Sequence, residues 1–499
     1  MFEKITSAVK GVLQKMGLIK SIQSVSEIKS IPIDDKFYQT IDMWKALYQG
    51  YFSDWHDVHY QTINGRKKRR MSTLMMPKML SQEMATLIFN ERCEINISDQ
   101  GLYEKIKSIF DDNKFTKRFQ DYLEFQFALG GMVIKPYVTD GKIKLSYVTA
   151  DCFIPISWDN QGIHEAVFPH EIRKGDKKYT HLEWHLWEGK EYVIKNELYV
   201  ADKNSGDIGR KVQLSTLFPD LEEEVRIKDF KRSGFVYFRP NLANHIDMSS
   251  PLGIPIFAAA LDEIKTLDIA FDSYQREFRL GKRRILVPAS ALKPVINKTT
   301  GNLERYFDAD DEVYEGFNTG DEDGKIQDNS VSLRVEEHIA GINSLLDLIS
   351  MKTGFSSGSF SFDGRSVKTA TEVVSENSKT FRTKQSHENI IESALTELVE
   401  VIVQLAELYG IFTRPADGWE VTVAFDDSIA EDQTSEIGKQ VQMLSNKVTT
   451  RKKAIMKLHG LSEKEAEQLL KEINAENATA TAEAIDFFGM NKKTKTSGE

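Results

Sequence analysis

One helix with two unlike halves constrains this chain more than any other feature. A Gly/Ser-rich segment, GFSSGSFSFDGRSVK from Gly354 to Lys368, runs into KTATEVVSENSKTFRTKQSHENIIESALTELVEVIVQLAELY, which ends at Tyr409. The second piece reads as a helix of roughly 40 residues, about 60 Å long. Its first half is almost entirely polar, whereas its second half carries an apolar stripe at Ile391, Leu395, Leu398, Ile402 and Leu405. A polar half-helix has little to bury, so it is expected to cross between larger bodies or to pack on copies of itself. A flexible loop at the end of such a helix points to a contact surface rather than a catalytic pocket.

The rest of the chain has ample material for a core. Its 499 residues allow roughly three or four domains, and 40% hydrophobic with 28% charged residues is ordinary globular composition. The formal net charge of -10 argues against a surface-wide grip on nucleic acid and leaves room only for local or weak contact. Two cysteines, Cys93 and Cys152, supply neither a disulfide framework nor a zinc site and are expected as small buried apolar residues. The N-terminal MFEKITSAVKGVLQKMGLIK lacks the apolar core of a signal peptide. No apolar run reaches the roughly 18 residues of a membrane span. A soluble protein made in the cytosol, with no membrane partner, is expected.

Residues 1–130 read as mainly helical, with segments at Phe37–Tyr51, Met79–Glu91, Tyr103–Phe110 and Phe115–Leu129. Between the first two lies GRKKRR, whose basic run Arg66–Arg70 reads first as a solvated loop and second as a phosphate or partner contact. From Gly131 to Phe238 the pattern alternates, as in KIKLSYV and THLEWHLWE, and turn signals such as TDGK and NSGD divide it. That texture predicts an antiparallel meander, with Trp158, Trp184 and Trp187 as packing residues. Ser249–Gly281 reads as helix, its start punctuated by Pro251 and Pro255. It carries a near-heptad seam at Phe257, Leu261, Ile264, Leu267, Phe271, Tyr274 and Phe278. A second seam follows at Val335, Ile339, Ile342, Leu345 and Ile349, so two similar helices bracket a small β insertion at 282–334. After Tyr409 come a strand in WEVTVAFDD and helical segments at 431–446, near Thr450 and from Ser462, where Ser462 and Glu465 form a capping box. The tail, with IDFFGM near its end, reads as frayed.

Catalytic constellations are weak. There is no G-x-x-x-x-G-K-[ST] loop. GDEDGKIQDNS fails as a calcium loop, because Ile326 takes the glycine position and Ser332 the bidentate one. His181, Glu183 and His185 alternate on one strand face, and that face reads as the wet one, with metal binding as the minor alternative. His56, Asp57 and His59 read as a solvated cluster on a helix, and Asp426 with Asp427 as a turn. Asp308, Asp310, Asp311 and Glu312 lie in one contiguous acidic loop, a poor match to a two-metal nuclease. Arg276, Arg279, Lys282, Arg283 and Arg284 crowd the end of the first seam helix, either complementing its dipole or meeting a polyanion or acidic partner.

This order of seam helix, β insertion, second seam helix, short Gly/Ser loop and long helix is similar to that of the portal proteins of tailed bacteriophages. The phrase GFSSGSFSFDGRSVKTATEVVSENSKTFRTKQSHENIIESAL resembles the tunnel-loop region of portals from phages of Gram-positive hosts. The resemblance covers nearly the full chain; the central phrase is specific, and the remainder matches in layout more than in motif. It implies an α+β portal fold: a wing at 1–253, stem helices at 254–281 and 335–352, and a clip at 282–334. A tunnel loop at 353–367, a long wing helix with return strand at 368–429, a crown at 430–480 and a flexible tail at 481–499 complete it. It further implies a ring of about twelve copies at one capsid vertex of the virion, through which double-stranded DNA is packaged and ejected. The implied partners are a terminase large subunit that burns the ATP, a head–tail adaptor, and the major capsid and scaffolding proteins. No enzymatic activity, cofactor or metal is implied.

Three physical points agree with that resemblance. Sliding DNA must not be held tightly, and an acidic chain avoids a ring of strong phosphate contacts. The loop offers Gly354, Gly358 and Gly364 for flexibility and the hydroxyls of Ser356, Ser357, Ser359 and Ser361 for weak phosphate bonds. Phe355, Phe360 and Phe362 are expected against neighbouring loops, Arg365 and Lys368 as the electrostatic contacts, and Asp363 within the same loop. Lastly, the polar half-helix is explained if neighbouring subunits cover it. The alternatives are another phage head or adaptor protein without a DNA channel, and a metal-dependent nuclease.

Overall fold

The structure, a computed structural model, describes residues 35–62, 65–281, 331–362, 370–416, 418–425, 433–459, 466–471 and 473, with short strands between 285 and 328. The chain divides into two compact units, Met1–Asp426 and Asp427–Glu499.

Among the described residues, the first unit begins with helices α1 (Asp35–Tyr48), α2 (Ser53–His56), α3 (Met76–Ile88), α4 (Gln100–Asp112) and α5 (Phe115–Leu129), with strands between them. Each long helix buries one stripe. On α5, Phe115, Phe119, Leu123 and Phe127 recur every fourth residue and are all at most 2% exposed. Their rings stack with Phe110 at 4.2 Å and meet Phe89 at 4.8 Å. Helix α4 begins where the Asp99 carboxylate accepts the Leu102 N–H at 2.7 Å. Helix α3 starts before Met79, which itself faces solvent.

GRKKRR is not a loop. Strands β1 (Asp57–Thr62) and β2 (Gly65–Arg70) pair antiparallel as an isolated ribbon, so Asp57 and His59 lie on a strand and His56 ends α2. A lone two-stranded ribbon is marginal in water, and this one is anchored at its base. Met71 N–H donates to the His56 carbonyl at 2.7 Å, and Arg69 forms a bidentate pair with Asp272 at 2.6 and 2.7 Å. Those long-range anchors are what a window on the sequence could not register.

The β region is antiparallel, as its alternation predicts. Strands β3 (Glu94–Ile97), β4 (Met132–Thr139), β5 (Lys142–Thr149), β6 (Ile154–Trp158), β7 (Ile163–Lys174), β8 (Lys177–Glu188) and β9 (Glu191–Asp202) are followed by β10 (Arg210–Val212), β11 (Glu224–Ile227) and β12 (Val236–Phe238). Strands β6 to β9 form a meander that β10 and β11 extend from β9, while β12, β4 and β5 form a smaller sheet. TDGK makes the β4–β5 turn, with Asp140 and Gly141 both at positive φ, as a two-residue hairpin needs. Trp184 is buried and its indole N–H donates to Glu197 at 3.0 Å.

The face holding His181, Glu183 and His185 is not wet. His181 is 9% and His185 3% exposed, while Leu182, Trp184 and Leu186 are buried on the opposite face. The polar face is roofed by Phe218, Phe235 and Tyr192. Its groups satisfy one another: Lys135 to Glu183 at 2.6 Å, Glu183 to His185 at 2.7 Å and His185 to the Tyr192 hydroxyl at 2.7 Å. Burial alone would raise the Glu183 carboxyl, but Lys135 and His185 outweigh it and hold it well below the usual range. Among the described residues, no group of three or more His, Cys, Asp and Glu is placed to hold a metal.

Helices α6 (Leu261–Leu280) and α7 (Val335–Thr353) are antiparallel, since Arg334 reaches Glu277 at 2.9 Å at one end and Lys352 reaches Glu263 at 2.6 Å at the other. Ile264 and Leu267 pack with Ile342, Leu346 and Ile349 in the common core, and the seam opens towards Phe278, which is 45% exposed. Helix α6 starts later than Ser249 or residue 254. The residues before it cross the end of α5 backbone against backbone: a Cβ on Gly253 would lie 2.3 Å from the Gly130 carbonyl oxygen. Ile256 N–H donates to the Phe127 carbonyl at 3.1 Å. Those contacts hold 253–256 out of the helix.

Between α6 and α7 lie β13 (Ile285–Pro288), β14 (Val295–Ile296), β15 (Leu303–Glu304), β16 (Tyr314–Phe317) and β17 (Gln327–Asp328). Strand β13 pairs in parallel with β16 and antiparallel with β17. Helix α8 (Ala370–Leu408) follows α7, and β18 (Val421–Ala424) returns to pair with β3. In the second unit, α9 (Gln433–Ser445) and α10 (Arg451–His459) precede helical residues 466–471. Of the calcium-like turn, Gln327 and Asp328 lie in β17 and Val331 and Ser332 lead into α7; its other positions, the acidic run Asp308–Glu312, Asp426 with Asp427, the Ser462 capping box and the tail lie outside the described residues. Among the described residues, no helix is long and apolar enough to cross a membrane.

Candidate functional site

The segment after α7 is fastened rather than free. Gly354 closes the helix at φ +87°, and a Cβ there would sit 2.5 Å from the Thr383 methyl on α8. Glycine is needed for both the left-handed turn and the close approach. Gly358 also has positive φ, so these glycines shape turns rather than confer flexibility. Phe355 is 1% exposed and lies within the chain's own core, edge-on to Phe360 at 5.1 Å. Ser356 is buried, and its N–H donates to the Thr380 hydroxyl at 2.8 Å. Asp347 accepts from the Ser357 hydroxyl at 2.8 Å and from Gly358 N–H at 2.9 Å. Phe362 N–H donates to Asn343 at 2.9 Å, and its ring lies 5.3 Å from that of Tyr274.

Gly354–Phe362 therefore runs back along α7. Five of its expected contacts change accordingly. The Phe355, Phe360 and Phe362 rings pack within their own chain, and Ser356 and Ser357 spend their hydroxyls internally. Ser359 and Ser361 are exposed. Asp363, Gly364, Arg365 and Lys368 lie outside the described residues.

The polar half of α8 is not an open face over the stretch that is described. Thr380, Lys384, His387 and Glu388 are each at most 8% exposed, all within one chain. Lys384 and Glu388 form an ion pair at 2.7 Å. The His387 ring meets Phe127 edge-on at 5.1 Å and accepts the Asn241 N–H at 3.0 Å through Nδ1. Burial pushes its pKa down to about 4, so the ring is neutral. Residues 380, 384, 387, 391, 395 and 398 share one spacing. The polar positions thus continue the apolar stripe, a signal hidden when only apolar residues are counted.

The basic groups divide. Arg276 and Arg279 are exposed on the last turns of α6, and Lys282, Arg283 and Arg284 lie outside the described residues. Glu277, between those two arginines, is drawn down to about 2 by its hydrogen bonds from Arg334. In the ribbon, Lys68 pairs with Asp57, Arg69 with Asp272, and Arg70 donates to the Gly50 carbonyl. Arg66 and Lys67 remain exposed near its tip. Sequence reasoning also missed the pair His56–Asp268, at 3.3 Å, in which Asp268 additionally accepts the Leu74 N–H at 3.1 Å. With Arg69–Asp272 it ties the helical layer and ribbon to α6.

Cys93 is buried and Cys152 only partly so. Nothing in these groupings assembles a nucleophile, base and oxyanion site; what the geometry provides is a stiff helical pair, a folded-back loop and a long helix locked to it. The family model described as phage portal protein, SPP1 Gp6-like, matches residues 29–479. No curated protein matches the chain.

Proposed function

Because the chain belongs to the SPP1 Gp6-like family of phage portal proteins, we propose that identical copies close into a ring at the capsid vertex. Double-stranded DNA passes along the axis of that ring during packaging and ejection, and residues 353–367 form its narrowest lip. The family is structural, and its place is the virion vertex. The observation that carries the reading is the family match across 29–479, which includes both stem helices, the loop and the long helix.

Several features support it. Ile269, Phe278, Leu280, Leu348 and Met351, on α6 and α7, are 44–57% exposed, and apolar side chains so placed suit burial against neighbouring copies. The net charge of -10 suits a channel that must release phosphate as readily as it meets it. Exposed Ser359 offers a replaceable hydrogen bond to a passing backbone. A loop pinned by Asp347 and Asn343 suits a bore of fixed width. The clip at 282–334 docks the terminase and later the head–tail adaptor, and capsid and scaffolding proteins surround the ring.

The test is packaging in vitro. Capsids assembled with this chain, terminase and ATP are expected to protect duplex DNA from nuclease, and capsids lacking it are not. Equal protection without the chain would contradict the reading.

A further inference from the structure

A cleft of about 530 Å³ opens where the 241–259 segment, the end of α7 and the first half of α8 meet. Its walls combine apolar side chains, among them Leu242, Ile254 and Met351, with Lys352, Lys379 and Arg382. No carboxylate lines it. Lys352 is paired with Glu263 and Lys379 donates to the Met351 carbonyl, whereas Arg382 is exposed and makes no ion pair or hydrogen bond among the described residues. Apolar walls beside Lys379 and Arg382, which pair with no carboxylate among the described residues, suit an acidic peptide that carries a large apolar side chain. A bare phosphodiester backbone would leave those walls uncovered.

The same chain displays such a peptide. Asp220, Leu221, Glu222 and Glu223 are all exposed, Leu221 to 40%. Asp220, Glu222 and Glu223 form no ion pair among the described residues, while Glu224 is already paired with Arg226 and Lys195. The loop is held rigid through its backbone: Asn196 N–H donates to the Glu223 carbonyl and the Asn196 amide to the Glu222 carbonyl, both at 2.8 Å. The segment that follows the loop is fastened away from the cleft of its own chain: Lys231, eight residues past Glu223, bonds Gln404 near the far end of α8 at 2.7 Å, and Gln404 stands about 20 residues, or roughly 30 Å, along that helix from the cleft. Two complementary patches at separate places on one body are what a head-to-tail contact requires, and such a contact closes into a ring when its rotation permits.

We infer that the 220–223 loop of one copy seats in the cationic cleft of a second copy, Leu221 against the apolar wall and Glu222 and Glu223 facing Arg382 and Lys379. The inference rests on the ring reading and names a contact that closes it.

The experiment is a charge swap on the full-length chain, read by sedimentation across a concentration series, with circular dichroism confirming the fold. Arg382→Glu alone, and Glu222→Lys with Glu223→Lys, are each expected to raise the concentration needed for assembly by about tenfold or more. The triple variant is expected to return to within about threefold of wild type. The inference is overturned if either reversal assembles like wild type, or if the triple variant is no better than the weaker reversal, and the ring reading then survives. A wild-type chain that never assembles overturns both.

Discussion

Helix α8 buries its second half and the described part of its first half by different means. In the second half, Ile391, Leu395, Leu398 and Ile402 are each 0% exposed and need only fit. In the first, Thr380, Lys384, His387 and Glu388 are nearly as deep, but each depends on a named partner. Apolar burial tolerates small changes of shape and ignores pH. Polar burial is conditional, because a lost partner leaves an unsatisfied group behind. The conditional half is the one that meets the folded-back loop, so the position of that loop is fixed by specific bonds instead of by general hydrophobicity.

The largest expected effect breaks a polar partnership. Lys384→Ala removes the ion pair from buried Glu388 and is expected to lower stability by about 4 kcal/mol in chemical denaturation. Replacing both, as Lys384→Met with Glu388→Leu, is expected to recover most of that loss. If the double variant were as unstable as the single one, the ion pair would not be what holds this half. On the apolar side, Leu398→Ala is expected to cost about 3 kcal/mol by opening a cavity, at any pH between 5 and 8.

His387 makes the contrast pH-dependent. Its folded value near 4 lies below the usual 6.5. The unfolded chain therefore binds the proton more readily between those values. Its contribution is complete above about pH 6.5 and is lost as pH falls towards 4, by up to about 3 kcal/mol. Stability measured from pH 7 to 4 is expected to fall less steeply in His387→Gln than in wild type; parallel curves would remove the histidine from the account. A smaller effect, about 2 kcal/mol, is expected for Gly354→Ala. Adding Thr383→Ala is expected to relieve the clash but not the positive φ, so recovery in melting temperature should be partial.

Sequence patterns revealed the long helix, the paired seam helices, the antiparallel meander and the TDGK hairpin, because each shows in local periodicity or turn chemistry. What stayed hidden depends on partners far along the chain. GRKKRR is a strand because Arg69 finds Asp272, and residues 253–256 leave the helix because Gly253 meets Gly130. The His181–His185 face is buried because Lys135 and Tyr192 complete its bonding. The Gly/Ser run looked loose because composition does not show that Asp347 and Asn343 wait on the preceding helix. Of the candidate site, the place of the loop between the helices was legible, and its internal bonding was not.

Electron microscopy of the purified protein tests the central claim most directly. The account predicts annular particles with an axial opening wide enough for a DNA duplex. Compact single chains at every concentration, with no annular particles, would contradict it.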